Sequence, residues 1–430
     1  MDNNRNTIIS DPIRKEIVNI PDPVFKSYLI KNFDLDGDGE ISIEEAQLIT
    51  EINCYGRSSE FSSKRITSLK GIENFSNLEV LYCHYNSITW LDISQNKQLK
   101  KLGCSHNRLL SLSIDKCSSL ESLNCGFNPL TTLEIRNLDS LVKLSCDNND
   151  FEFIDLTNCK SLSSVEIVNC KKLSIISLQN CISLKELNCS ENGLQKIELD
   201  NCCSLEKINC YSNKIKYLDL NDCEKIWYLN CSNNLIEEFK PEKFKLLKEL
   251  YLNSNKLKSI DLSKNYLVEN FQCTDNNIER INITNCEKLM FFHFDNNKVR
   301  TIDLSTCENL KKLYCSYNEL EILNMNNCPN LETLYCDNNK LTVIFIDYNK
   351  KLTDLICDSN ASNKLNGKNG NPNEPCYGTI GDSGTDGGFR SSDEEAEAHY
   401  EYLNSENDDD CDILDAFEGQ QDAYDECSQR

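Results

Sequence analysis

The sequence predicts a parallel β-solenoid of about 14 repeats of 21 residues, with a small helical cap at its N-terminal end and an acidic tail behind it. Three observations carry that expectation. The frame Leu-x-x-Leu-x-Cys-x-x-Asn recurs, as at Leu78 to Asn86, Leu120 to Asn128 and Leu331 to Asn339. Its cysteine position returns every 21 residues from Cys83 to Cys357, with one step of 22 between Ile167 and Cys189. A second half-motif fills each unit, as at Leu91-Asp-Ile93 and Ile302-Asp-Leu304. A period of this length marks a repeat fold, because one unit cannot bury its apolar face alone and a stack of units can.

Composition excludes several classes. The 430 residues carry 69 acidic and 45 basic side chains, a formal charge of −24, and are 39% hydrophobic. That is too apolar for a wholly disordered chain. No apolar run approaches the roughly 20 residues of a membrane helix, so no membrane insertion is expected. A net charge this negative repels phosphate backbones, and without a basic patch no nucleic acid is expected as a partner.

Residues 1–19 are polar and mixed in charge and read as a flexible leader. They lack the charged lead, apolar core and cleavage site of a secretory signal, which reads as cytoplasmic or as a missing export signal. Residues 20–51 form the helical cap. Phe25, Leu29 and Phe33 recur every fourth residue on one helical face. They lead into Asp34-Leu-Asp36-Gly-Asp38-Gly39-Glu40-Ile41-Ser42-Ile-Glu-Glu45, which fits a twelve-residue EF-hand calcium loop, and a helix is expected to continue through Ile49. Asp34, Asp36 and Asp38 would offer side-chain oxygens and Glu40 its carbonyl. Ser42 would ligate directly or through water, Glu45 would close the site, and Gly39 sits where the turn demands positive φ. The other acidic run, at Asp408 to Asp412, has Ile413 in place of the required glycine, so one Ca2+ site is expected, as a structural clamp. An acidic turn that binds nothing is the bland alternative. Residues 52–77 form a capping repeat.

Residues 78–361 form the solenoid. Eleven of fourteen ladder positions are Cys, and Ile167, Leu252 and Phe294 fill the rest, so the column is a buried apolar one in which thiols act as small hydrophobes. Period-two alternation turns Leu81 and Cys83 inward, Tyr82 and His84 outward. Asn follows three residues later in thirteen repeats, with Cys170 the exception, and a second column holds eight more cysteines. Disulfides and zinc are the sharper readings of so many cysteines. No Cys-x-x-Cys pair occurs, and the ladder repeats at a structural period, which favours buried thiols and a reducing environment.

These motifs resemble the leucine-rich repeat family, in the 21-residue form of bacterial surface proteins of the internalin-like and gut-Bacteroidetes kind, over about residues 52–361. The resemblance implies short strands lining a concave face and an Asn column bonding the backbone at the turns. The stretch from Ile20 to Lys26, the calcium loop, Ile52 to Cys54 and Ile66 to Ile72 resemble that family's N-terminal caps. It also implies a protein partner and a secreted or cell-surface location.

On the outward positions of the strands, Tyr251, His293, Tyr314 and Tyr335, with Asp295 and Asp337 beside them, have the composition of a binding hot spot for a protein partner. Tyrosine that merely packs well on a pleated surface is the alternative. Asp92, Glu134, Asp155, Glu198, Asp219, Asp261 and Asp303 form an acidic column that either solvates the surface or attracts a basic partner. His84 and His106 occupy different outward columns, and no nucleophile-elbow, phosphate-cradling or zinc-helix motif occurs, so no enzyme is expected. The chain reads as a monomeric recognition protein, at a bacterial surface or, alternatively, as an intracellular scaffold or inhibitor.

Residues 362–430 read as a disordered acidic tail. From Gly381 to Arg430, 17 acidic residues stand against Arg390 and Arg430, which accounts for −15 of the net −24. The tail is expected either to shield Leu352 and Ile356 or to stay free.

Overall fold

The computed structural model describes residues 15–56 and 65–357 in full and the backbone of Leu365–Asn366. Residues 377–430, and with them most of the expected shielding tail, lie outside the described residues.

The first helix, α1 (Pro23–Phe33), starts on Asp22, whose Oδ1 accepts the N–H groups of Val24 and Phe25 at 2.9 Å, and Pro23 presets the first turn. Asp22 Oδ2 accepts from Thr67 N–H at 2.8 Å and Thr67 Oγ1 at 2.7 Å, which ties the cap to the capping repeat. Burial alone would raise the pKa of this carboxyl, but these hydrogen bonds outweigh it and hold the pKa low. The second helix, α2 (Ile43–Ala46), is shorter than the sequence predicts. Its single turn is closed by a capping box between Ser42 and Glu45, and the strand Glu51–Asn53 follows soon after.

Part of the predicted leader is structured. Val18 N–H donates to Ile41 O and Ile43 N–H to Glu16 O, both at 2.8 Å, so residues 16–18 run antiparallel to the end of the acidic loop. Val18 and Ile20 are buried there, and apolar residues that alternate in this way cannot remain a free leader.

Fifteen three-residue strands, from Glu51–Asn53 to Asp354–Ile356, form one parallel sheet with unbroken register, as in Ile52 opposite Leu81 and Leu334 opposite Leu355. The central residue of nearly every strand is buried, as are the ladder cysteines through Cys336. On the opposite side the second half-motif makes shorter sheets of two or three strands. The last of these includes Leu365–Asn366 beside Val343–Phe345, so the repeat pattern of the backbone runs past residue 361, where the sequence frame fails.

The Asn column closes each coil. Asn128 Nδ2 donates to the carbonyls of Cys104, Cys125 and Gly126 at 3.0–3.1 Å, and its Oδ1 accepts Leu109 N–H at 2.9 Å. At the exception, Cys170 Sγ faces Cys146 O at 3.6 Å and accepts Asn149 N–H at 3.4 Å, a weaker copy of the same pattern. In the second cysteine column Cys117, Cys181 and Cys202 donate to carbonyls one coil earlier at 3.2–3.3 Å. Where Asn96, Asn265 and Asn349 stand in this column, the amide reaches two carbonyls and Oδ1 has no partner. A thiol supplies one donor and leaves no strong acceptor orphaned, which suits it to this column.

The acidic column has a local task that the sequence reading missed. Asp92, Asp155, Asp261 and Asp303 each accept the N–H two residues on, at 2.9–3.0 Å. They cap the turns that follow the short strands.

Candidate functional site

Among the described residues, two places hold the candidate site residues. The first is the cap loop. Gly37 and Gly39 turn it with φ of 74° and 82°, and Asp34 pins it by accepting Gly37 N–H at 2.8 Å and Gly39 N–H at 2.9 Å. One carboxylate oxygen from each of Asp34, Asp36 and Asp38 lies within 4.8 Å of the others. Glu45 is buried beside them and accepts from Leu35 N–H, Ser42 N–H and Ser42 Oγ at 2.7–2.9 Å. Burial would raise its pKa, yet the Ser42 and Leu35 hydrogen bonds with the Lys15 charge hold it at about 2. Ser42 acts as the α2 cap, and the Glu40 side chain pairs with Lys26 at 2.6 Å, which leaves the Glu40 carbonyl for the loop.

The second place is the outer face of the fifteen-stranded sheet. Near its C-terminal end the ring of Tyr314 lies 5.0 Å from those of both His293 and Tyr335. His293 Nε2 lies 2.9 Å from Asp295 Oδ2, and Ser316 joins Asp295 to Asp337, donating its N–H to the first and its hydroxyl to the second. Phe291, which the sequence reading passed over, completes the group 5.4 Å from Tyr314. It sits two residues before His293 on the same strand, and the alternation alone would have found it. Tyr251 does not belong to this group. It is 3% exposed, its hydroxyl donates to Glu249 and accepts from Asn270, and its ring packs on Tyr228, so it is part of the surface floor and no anchor.

The N-terminal end of the same face was also missed. His84 points outward as predicted but is only 7% exposed, packed beside Tyr82 and Tyr55, with Nδ1 2.6 Å from Ser105 Oγ. Burial first, then the nearby His106 charge, push its pKa down to about 4. Two residues past each ladder position from Cys83 to Cys336 the backbone is left-handed, where Asn is at home but Tyr85, His106 and Phe127 also stand. Their rings stack at 4.1 Å between neighbours, which offsets that strain. Between the two aromatic ends, burial and then the Asp147 charge push Glu166 up to about 7.

Repeat, ladder and Asn-closed turns define a leucine-rich repeat protein. No family model matches the chain. Over 76 residues, which is 18% of this chain and 8% of the relative, the sequence is 36% identical to internalin J of Listeria monocytogenes serotype 4b (strain F2365), so the match spans a small part of that relative's length. The solved functional domain of InlJ from Listeria monocytogenes, described as including a cysteine ladder, is 28% identical, with a TM-score of 0.67 over 80% of this chain and 76% of that one. An internalin, inlF, from Listeria monocytogenes strain 4b F2365 is 19% identical, with a TM-score of 0.51 over 80% of this chain and 97% of that one. The plant peptide hormone receptor RGFR1, solved in complex with RGF2, is 20% identical, with a TM-score of 0.53 over 74% of this chain and 60% of that one. These last two show the fold alone. The chain is an internalin-like leucine-rich repeat protein of the bacterial kind. No helix among the described residues is long and apolar enough to cross a membrane.

Proposed function

We propose that the chain is a non-catalytic recognition protein that binds a protein partner through the outer face of its long sheet, at a bacterial surface. The observation that carries this reading is the cluster of His293, Tyr314 and Tyr335 with Asp295 and Asp337. Rigid rings with polar tips stand beside carboxylates held in place by Ser316, the composition that anchors protein interfaces. The test is capture from host extracts and from bacterial cells with the full chain and with Tyr314→Ala/Tyr335→Ala as the control bait. A partner held by the first and lost by the second supports the reading, and equal capture by both rejects this face. The buried free thiols favour a second reading, an intracellular scaffold or inhibitor in a reducing cytoplasm. The source of the captured partner separates the two.

The cap, in the same proposal, holds one calcium ion with Asp34, Asp36, Asp38, the Glu40 carbonyl and Glu45, with Ser42 at the remaining loop position. The support is an all-oxygen donor set in a turn already formed, which suits a hard cation. The ion would supply positive charge that locks the loop, and with it the cap, onto the first coil.

A further inference from the structure

The chain brings a cation of its own to the acidic loop. Lys15 Nζ lies 2.6 Å from Asp36 Oδ2, 2.7 Å from Asp38 Oδ2 and 3.5 Å from Glu45 Oε2. The backbone places it there, because Lys15 immediately precedes the segment 16–18 that pairs with residues 41–43. The other lysine at the loop, Lys26, pairs instead with Glu40. Lys15 therefore touches the third, fifth and twelfth positions of the loop, three of the carboxylates assigned above to the metal. A divalent ion and an ammonium group cannot share those oxygens, since like charges about 4 Å apart repel strongly at a partly buried site.

We propose that Lys15 is a tethered competitor for the metal site: its ammonium holds the acidic loop together without calcium, and calcium enters only by displacing it. The proposal rests on the calcium reading. It makes Lys15 a determinant of affinity and couples metal occupancy to the position of the chain just ahead of residue 16. In the metal-free protein the same contacts keep Asp36, Asp38 and Glu45 from repelling one another, so the cap stays folded in both states.

Calcium titration by calorimetry on the full chain tests this with wild type, Lys15→Gln and Lys26→Gln. The expected result is a dissociation constant at least about tenfold lower in Lys15→Gln, with Lys26→Gln, which removes the same charge from beside the loop, changing it less than threefold. A second readout is amine labelling of Lys15 followed by mass spectrometry, which should be slow in chelator and fast in saturating calcium. Equal affinity in wild type and Lys15→Gln, or labelling that ignores calcium while calcium binds, overturns the competition and leaves the calcium site standing. No heat of binding in any of the three proteins overturns the calcium reading and the competition with it.

Discussion

The imidazole of His84 occupies the space that a side chain on Gly103 would need: an ideal β-carbon there would lie 2.1 Å from His84 Nε2 and 2.6 Å from Cε1. Gly103 is the one glycine in an outward column that elsewhere carries a side chain, from Tyr82 to Ile356, and its missing side chain is what lets His84 lie over the neighbouring strand. His84 has little room to move, since its Nδ1 is engaged by Ser105 and its ring packs on Tyr82. Gly103→Ala should therefore cost about 1–3 kcal/mol, as overpacking of a tight site does. Urea unfolding checks it, and the double variant Gly103→Ala/His84→Ala should recover part of the loss by clearing the clash.

Stability should also depend on His84 through pH. Its folded pKa of about 4 lies below the ordinary value of about 6.5, so the unfolded chain binds the proton more readily. Its contribution is complete above pH ~6.5 and is lost as pH falls toward 4. Glu166 acts with the opposite sign, because a carboxyl raised to about 7 contributes below its ordinary range and loses that contribution as pH rises. Subtracting the melting curves of His84→Asn from those of wild type isolates the histidine. The expected difference is a shallower fall for the variant between pH 6.5 and 4, and parallel curves would remove His84 as the cause.

Asn128 makes four hydrogen bonds to backbone that has no water to turn to, so Asn128→Ala should cost about 3 kcal/mol or more. Asn128→Asp should cost at least as much, because a carboxylate would face three carbonyl oxygens. Denaturant titration of both variants checks the order. Unfolding that splits into two steps at this coil would be the solenoid's version of the same defect, since each coil is held only by its neighbours.

The ladder was legible because burial acts identically on every coil. Leu81, Cys83 and Asn86 have counterparts at most steps, and a period makes their environment readable from letters alone. Contacts made once were not legible. The burial of His84 depends on Gly103 one coil later, and Tyr251 is covered because Tyr228 and Asn270 happen to flank it. The acidic column reads as solvation or as a lure for a basic partner because charge is visible in a sequence, whereas the turn N–H that Asp261 accepts is not. The acidic pattern of the cap loop is visible in the letters, but Lys15 falls outside it, and its contacts with Asp36 and Asp38 follow only from the pairing of Ile17 with Ser42.

The calcium reading is tested by heat. Asp34 lies between two tasks: its oxygens already accept Gly37 and Gly39 N–H, and the proposed ion would draw on the same carboxylate. In the calcium-bound protein the melting temperature of the cap should rise over that in chelator, by an amount that grows with calcium concentration, because a ligand that binds only the folded state stabilises it by mass action. At 100 times the dissociation constant that linkage is about 2.7 kcal/mol. Asp34→Ala should abolish the calcium-dependent rise and also lower the melt in chelator, since the turn loses its internal acceptors. Asp34→Asn keeps an acceptor for the glycine N–H groups, so it should retain most of the chelator melt while still losing the response to calcium. Melts of wild type that coincide with and without calcium would sink the calcium site and leave Asp34 as a turn-forming residue held by its glycines alone.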